Sequence, residues 1–265
     1  MSNDAKSAKV AEFLENLATA SKSSLKVKIF GDGADKQTIL NLNADPMIAG
    51  FTTNPTLMRK AGVDDYEQFA RDVLACVKEK PISFEVFSDD FDEMEQQARE
   101  IATWGNNVNV KIPISNTKGE SSVPMIERLC AAGIRLNVTA MTLYEQVTTV
   151  VPALSRGAGG YVSVFAGRIA DSGRDPLPTM KKTMELLADH PNIELIWASP
   201  RELYNLVQAD SINCHIITVT PDILKKLPLL NGCLRGVSLD TVRMFYNDAQ
   251  SAGYKIRTKT PSQKQ

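Results

Sequence analysis

Val108-Asn109-Val110-Lys111-Ile112-Pro113 is a short apolar run with a lysine near its far end. Its branched apolar residues alternate with polar ones, the period of a strand, so Val108, Val110 and Ile112 share one face and Asn109 and Lys111 the other. An apolar row needs a covering layer, and a lysine on the opposite face of such a strand needs a buried partner or a chemical role.

Seven further strand-like runs flank this one, at 27–30, 48–53, 82–87, 134–139, 161–166, 193–198 and 215–219. Segments of helical period lie between or after them, at 36–42, 64–80, 89–104, 123–132, 142–154, 177–187, 201–209 and 222–226, and a helix at 240–252 closes the chain. The acidic residues at 89–93 suit a first helical turn, where carboxylates complement the helix dipole. Arg156-Gly157-Ala158-Gly159-Gly160 follows a helix and precedes a strand, the reverse of a phosphate loop's order, and reads as a plain connection.

Strict alternation of strand and helix implies parallel strands joined by crossover helices. Eight such units in roughly 250 residues are what a closed (β/α)8 TIM barrel requires. A doubly wound open sheet is the alternative, but it gives no reason for the polar strand ends described below. The sequence reads as a single barrel domain over 1–265, with an extra amphipathic N-terminal helix within 1–24, a C-terminal helix, and a solvated tail at 255–265.

Composition narrows the function. With 43% hydrophobic and 23% charged residues and a formal net charge of -1, the chain has the profile of an ordinary globular protein. That balance lacks the basic field that nucleic acid or an acidic membrane surface demands, and no run is long enough to span a bilayer. Cys76, Cys130, Cys214 and Cys233 show no C-x-x-C spacing, and His190 and His215 are too few and scattered for a zinc site. No metal is expected, and the thiols are expected to be reduced, in the cytoplasm. The glycosylation match at 137–139 has no secretory signal to accompany it and reads as accidental.

Nearly every expected strand carries a polar or ionisable residue at or just past its C-terminal end: Asp32, Asn54, Glu85, Lys111, Asn137 with Thr139, Ser163 with Arg168, and Ser199 with Arg201. In a barrel those ends converge on the face where barrel enzymes place their chemistry. Alternation puts Asp32 with Phe30, Glu85 with Ser83, Asn137 with Thr139, and Ser163 with Phe165 on the inner face. Singly, each is more simply a hydrogen-bonded structural residue. As a set at matching ends they read as a site. Lys111 there would be held partly out of water, which favours the neutral, nucleophilic amine and points to Schiff-base chemistry. A structural ion pair with Asp32 or Glu85 is the simpler role. Arg168, Arg201 and Ser199 suit an anion clamp, because guanidinium forks match phosphate oxygens.

Five stretches then resemble the transaldolase family, in the family's order: Thr52-Thr53-Asn54-Pro55-Thr56, Val110-Lys111-Ile112-Pro113, Leu136-Asn137-Val138-Thr139, Ser163-Val164-Phe165-Ala166-Gly167-Arg168-Ile169 and Ala198-Ser199-Pro200-Arg201. The resemblance covers about residues 26 to 230. It implies a class I aldolase barrel with a Schiff-base lysine, Lys111, on the fourth strand. It implies that Asp32 takes the C4 hydroxyl proton and that Glu85 and Thr139 hold a relay water. Asn54, Asn137, Ser163 and Thr52 would belong to the substrate pocket, and Arg168, Ser199 and Arg201 would take a sugar phosphate. No metal or organic cofactor would be needed, since the imine is the electron sink.

Departures are Gly33 after Asp32, where the family usually has Thr or Ser, Val164 and Ala166 for a common Pro and Val, and Pro200 for an aromatic. Fructose-6-phosphate aldolases of the same family, which release free dihydroxyacetone, usually carry Tyr where this chain has Phe165. A phenyl ring cannot orient a hydrolytic water, which favours transfer over release. A catalytically silent barrel that binds a sugar phosphate is the reading from another class. The partners expected are sugar phosphates, with a homo-oligomer left open by the N-terminal helix.

Overall fold

The computed structural model describes residues 25–257. The expected N-terminal helix and most of the expected tail lie outside the described residues. Eight strands follow one another in a ring: β1 (Lys28–Asp32), β2 (Ile48–Thr52), β3 (Ile82–Glu85), β4 (Val108–Pro113), β5 (Leu136–Met141), β6 (Gly160–Val164), β7 (Ile193–Trp197) and β8 (Ile216–Val219). Each is parallel to the next, and β8 pairs with β1 to close the barrel.

Around them run α1 (Lys36–Asn43), α2 (Pro55–Lys60), α3 (Tyr66–Leu74), α4 (Phe91–Ala102), α5 (Val123–Ala131), α6 (Tyr144–Ser155), α7 (Ala166–Asp171), α8 (Leu177–Leu187), α9 (Tyr204–Ser211) and α10 (Pro221–Leu224). Several start on side-chain caps, each worth about 1 kcal/mol. Asp35, Asn54 and Asp65 accept from the amides of Thr38, Leu57 and Gln68 at the heads of α1, α2 and α3. The acidic segment at 89–93 is likewise structural, since Asp90 accepts from both Asp92 and Glu93 amides at 3.0 Å to start α4.

The strand periodicity sorts side chains into two apolar layers. Val108, Val110 and Ile112 join Phe84, Leu136, Val138, Val162 and Val164 in the larger layer between strands and helices. Inside the barrel a smaller cluster of Phe30, Tyr161, Ile196, Ala198 and Ile216 is packed, with the Phe30 and Tyr161 rings edge-on at 5.9 Å. Phe30 fits only because Gly50 faces it: a Cβ there would fall 2.6 Å from the ring. Phe30 lies two residues before Asp32, so this plug underlies the polar end of β1.

Some boundaries differ from expectation for local reasons. The helix expected over 64–80 stops at Leu74. Pro81 disfavours helical backbone at Lys80, whose ammonium instead donates to the carbonyls of Asn43 and Asp45. The short α2 and α7 were not expected. Pro55 at the first helical position suits the Asn54 cap, and β6 gives way to α7 at Phe165 instead of running to 166.

The chain divides into two compact units, and the single domain expected over 1–265 spans both. The barrel lies in the unit that ends at Leu227. Among the described residues the other unit begins at Pro228 and holds α11 (Leu234–Ser251). That helix starts earlier than the expected 240, because one interior glycine, Gly236, costs only about 1 kcal/mol and does not stop it. No helix among the described residues is long and apolar enough to cross a membrane.

Candidate active site

The ladder between β3 and β4 sets Glu85 directly beside Lys111. Lys111 is only 6% exposed, and its Nζ lies 3.0 Å from Glu85 Oε2 while donating to the Thr53 carbonyl at 3.0 Å. The ion pair weighed from sequence is thus present, with Glu85 as the partner. Tyr66 of α3 fixes the Glu85 main chain. Its hydroxyl accepts from the Glu85 amide at 2.8 Å and donates to the Glu85 carbonyl at 3.0 Å. Burial pushes that phenol above its ordinary range and outweighs the hydrogen bond to Glu85, so the hydroxyl keeps its proton.

On the ladder between β1 and β2 Asp32 stands beside Thr52, whose hydroxyl donates to Asp32 Oδ1 at 2.9 Å and also bonds Thr218 of β8. Burial raises the Asp32 carboxyl above the ordinary carboxylate value and the Glu85 charge adds to this; the Lys111 charge and the bonds from Thr52 and Asn54 pull the other way. Asp32 is therefore held closer to the protonation boundary than a surface aspartate, a property expected of a group that moves protons.

A register shift in the β5–β6 ladder between Val138 and Met141 marks an irregularity at Thr139 and Ala140, and Ala140 takes φ 64°. Such bulges re-aim side chains. Thr139 lies in the cavity wall, and its Oγ1 is buried with no hydrogen-bond partner among the described residues. A buried hydroxyl left unpaired at a cavity is a ready seat for a water or a ligand oxygen.

These residues line one cavity of about 440 Å³ at the C-terminal ends of the strands, with Asp32, Thr52, Asn54, Glu85, Lys111, Thr139, Phe165, Arg168, Ser199 and Arg201 in its wall. Asn137 and Ser163 are not in the wall. They lie buried, with Asn137 Nδ2 donating to Ser83 Oγ at 3.0 Å and Ser163 Oγ donating to Asn137 Oδ1 at 2.7 Å. Asn54 Oδ1 is committed to capping α2. At the basic side, Arg168 has no ion-pair partner among the described residues. Arg201 pairs with Asp171, and Ser199 holds the strained φ of 61°.

A larger cavity, about 620 Å³, sits outside the barrel between α3 and α4. Most of its acidic lining is already used by the fold: Asp65 caps α3, Glu67 pairs with Arg71, Glu93 accepts from Ser88 and Glu100 from the Trp104 indole. The strand-end cavity is the candidate.

Four residues that shape it were not anticipated. Thr218 sits at the end of the eighth strand, where the strand-end rule applied to that strand would have found it. Lys60 ends α2, an unexpected helix, and joins the wall. Tyr66 reads in sequence as part of an apolar helical stripe, and Asp171 becomes a partner only through tertiary proximity.

Residues 29–258 match the family described as Transaldolase/Fructose-6-phosphate aldolase. The chain belongs to this transaldolase/fructose-6-phosphate aldolase family. It is 34% identical over 202 residues to a protein from Bacillus cereus described as a probable transaldolase, covering 76% of this chain and 89% of that one. It is also 31% identical over 234 residues to a probable transaldolase from a Thermoanaerobacter species, covering 87% of this chain and all of that one, 100%. Among solved structures, a dihydrodipicolinate synthase from Rhodopseudomonas palustris superposes with a TM-score of 0.51 at 13% identity, over 81% of this chain and 79% of the other. At that identity the likeness concerns the barrel alone. As a member of the transaldolase/fructose-6-phosphate aldolase family, the protein is a transaldolase-type aldolase.

Proposed function

We propose that the protein transfers a dihydroxyacetone unit from a ketose phosphate, fructose 6-phosphate or sedoheptulose 7-phosphate, to an aldose phosphate through an imine on Lys111. The observation that carries this reading is the buried Lys111 amine, 3.0 Å from Glu85 and facing the same cavity as Asp32, Arg168 and Arg201.

Glu85 takes a proton from Lys111, directly or through a water held with Thr139, leaving the amine free to add to the ketose C2 carbonyl. Loss of water gives an iminium. Asp32 then accepts the C4 hydroxyl proton, the C3–C4 bond breaks, and its electron pair is drawn through C2 onto nitrogen as an enamine, while the aldose phosphate leaves as an aldehyde. The enamine adds to the carbonyl carbon of the acceptor, Asp32 returns its proton to the new alkoxide, and water hydrolyses the iminium.

The other residues bind and orient. Asn137 and Ser163 lie below the wall, where Asn137 joins Ser83 to Ser163 and braces the pocket from beneath. Thr52 and Asn54 steady Asp32. Arg168, Ser199 and Arg201 receive the phosphate at the basic side. Phe165 puts a phenyl ring in the wall and offers no hydroxyl to a hydrolytic water, which supports retention of the three-carbon adduct until an acceptor arrives.

The test is release of glyceraldehyde 3-phosphate from fructose 6-phosphate, with and without erythrose 4-phosphate. Release that depends on the acceptor is expected. Release without it would make the protein an aldolase, and none under either condition would overturn the sugar assignment.

A further inference from the structure

Arg201 and Asp171 form a two-point pair in which Arg201 Nε donates to Asp171 Oδ1 at 2.9 Å and Nη2 donates to Oδ2 at 2.5 Å. Arg201 lines the strand-end cavity, and Asp171 does not. The carboxylate therefore holds one edge of the guanidinium from behind the wall. The N–H groups of Nη1 and the outer one of Nη2 remain unengaged by any described residue.

We propose that Asp171 is a positioning residue for phosphate recognition: it grips one edge of Arg201 so that the free edge is presented to the phosphate of the sugar. This rests on the transfer reading above, in which Arg201 receives that phosphate.

Further observations carry the assignment. Asp171 is the last residue of α7, where a carboxylate opposes the helix dipole, and the charges of Arg201 and of Arg168 one turn earlier offset this. The pair is about half exposed, at 41% and 45%, so it contributes little to stability, and orientation is the larger effect. The parts on either side are built to hold still. A Cβ on Gly167 would lie 1.6 Å from the Ser199 carbonyl oxygen and 3.4 Å from Arg201 Nε, so the α7 backbone packs directly on the arginine's loop. Asn205 Oδ1 accepts from the Arg201 amide at 2.7 Å and fixes its main chain. The Arg201 guanidinium also keeps the Asp171 carboxyl below its ordinary range, so the grip persists across neutral pH.

The opposite role, a carboxylate that competes with the phosphate for Arg201, predicts the opposite sign, and a matched pair of acceptors separates the two. With saturating fructose 6-phosphate, erythrose 4-phosphate is compared with unphosphorylated erythrose for the parent enzyme and for Asp171→Ala, Asp171→Asn, Arg201→Ala and the Asp171→Ala/Arg201→Ala double variant. Asp171→Ala should raise KM for erythrose 4-phosphate about tenfold, with kcat within about twofold and erythrose kinetics unchanged. Asp171→Asn should be intermediate, and Asp171→Ala should add nothing once Arg201 is gone. A lower KM in Asp171→Ala, or an equal loss for both acceptors, overturns the positioning role while Arg201→Ala still discriminates against the phosphorylated acceptor. An Arg201→Ala enzyme that handles both acceptors as the parent does overturns the phosphate reading itself, and the positioning role with it.

Discussion

Two ion pairs bound the same cavity, and they differ in every respect that matters energetically. The side chains of Lys111 and Glu85 are 7% and 16% exposed, while those of Arg201 and Asp171 are 41% and 45% exposed. The first keeps two charges in a poorly solvated place at a desolvation cost that attraction alone does not reliably offset, so its retention suggests chemistry. The second sits in partly screened surroundings, where a pair adds little to stability but fixes a flexible side chain. In the proposed mechanism reactivity and recognition thus occupy different dielectric settings at one barrel end.

The sharpest way to break the contrast is to remove the lysine. Lys111→Met should lower kcat by about 10⁴-fold or more in a coupled assay, and residual turnover within about tenfold of the parent would place the nucleophile elsewhere. Arg201→Ala should act on binding instead, raising KM for phosphorylated acceptors by about 10- to 100-fold, with unfolding free energy changed by no more than about 1 kcal/mol.

The buried side can be loosened without touching either charge. Tyr66→Phe takes the hydroxyl from both main-chain groups of Glu85. It should cost about 1–3 kcal/mol in urea unfolding and lower kcat more than KM. An unchanged kcat would show that Glu85 needs no such support.

The smallest effect has a sign of its own. Asp32 has a carboxyl raised above 3.8 by burial, so the native state binds its proton more readily than the unfolded chain does, and its ionisation lowers stability as pH rises through that interval. Asp32→Asn should therefore raise the unfolding temperature at neutral pH. That gain should fade as pH falls below the ordinary carboxylate range, while transfer activity is lost. A variant that unfolds at a lower temperature at neutral pH would contradict this.

The contrast also explains what could be read in advance. Lys111 beside Glu85 was legible, because alternation fixes which face each residue takes and parallel ladders place strand ends together, as the Glu85–Lys111 register does. The depth of Asn137 and Ser163 was less accessible. Ser83 lies two residues before Glu85 and Asn137 two before Thr139, so they share the inner face one layer lower, a distinction that a two-residue period cannot make. Asp171 and Tyr66 were invisible as site residues, since one looks like a surface charge and the other like core. Each acquires its part only when another element is packed against it.

The most direct measurement is borohydride reduction of the enzyme with fructose 6-phosphate, followed by mass mapping of the modified peptide. The proposed mechanism predicts a stable adduct on the peptide bearing Lys111 and none in Lys111→Met. An adduct on another lysine, or turnover with no trappable adduct, would contradict it.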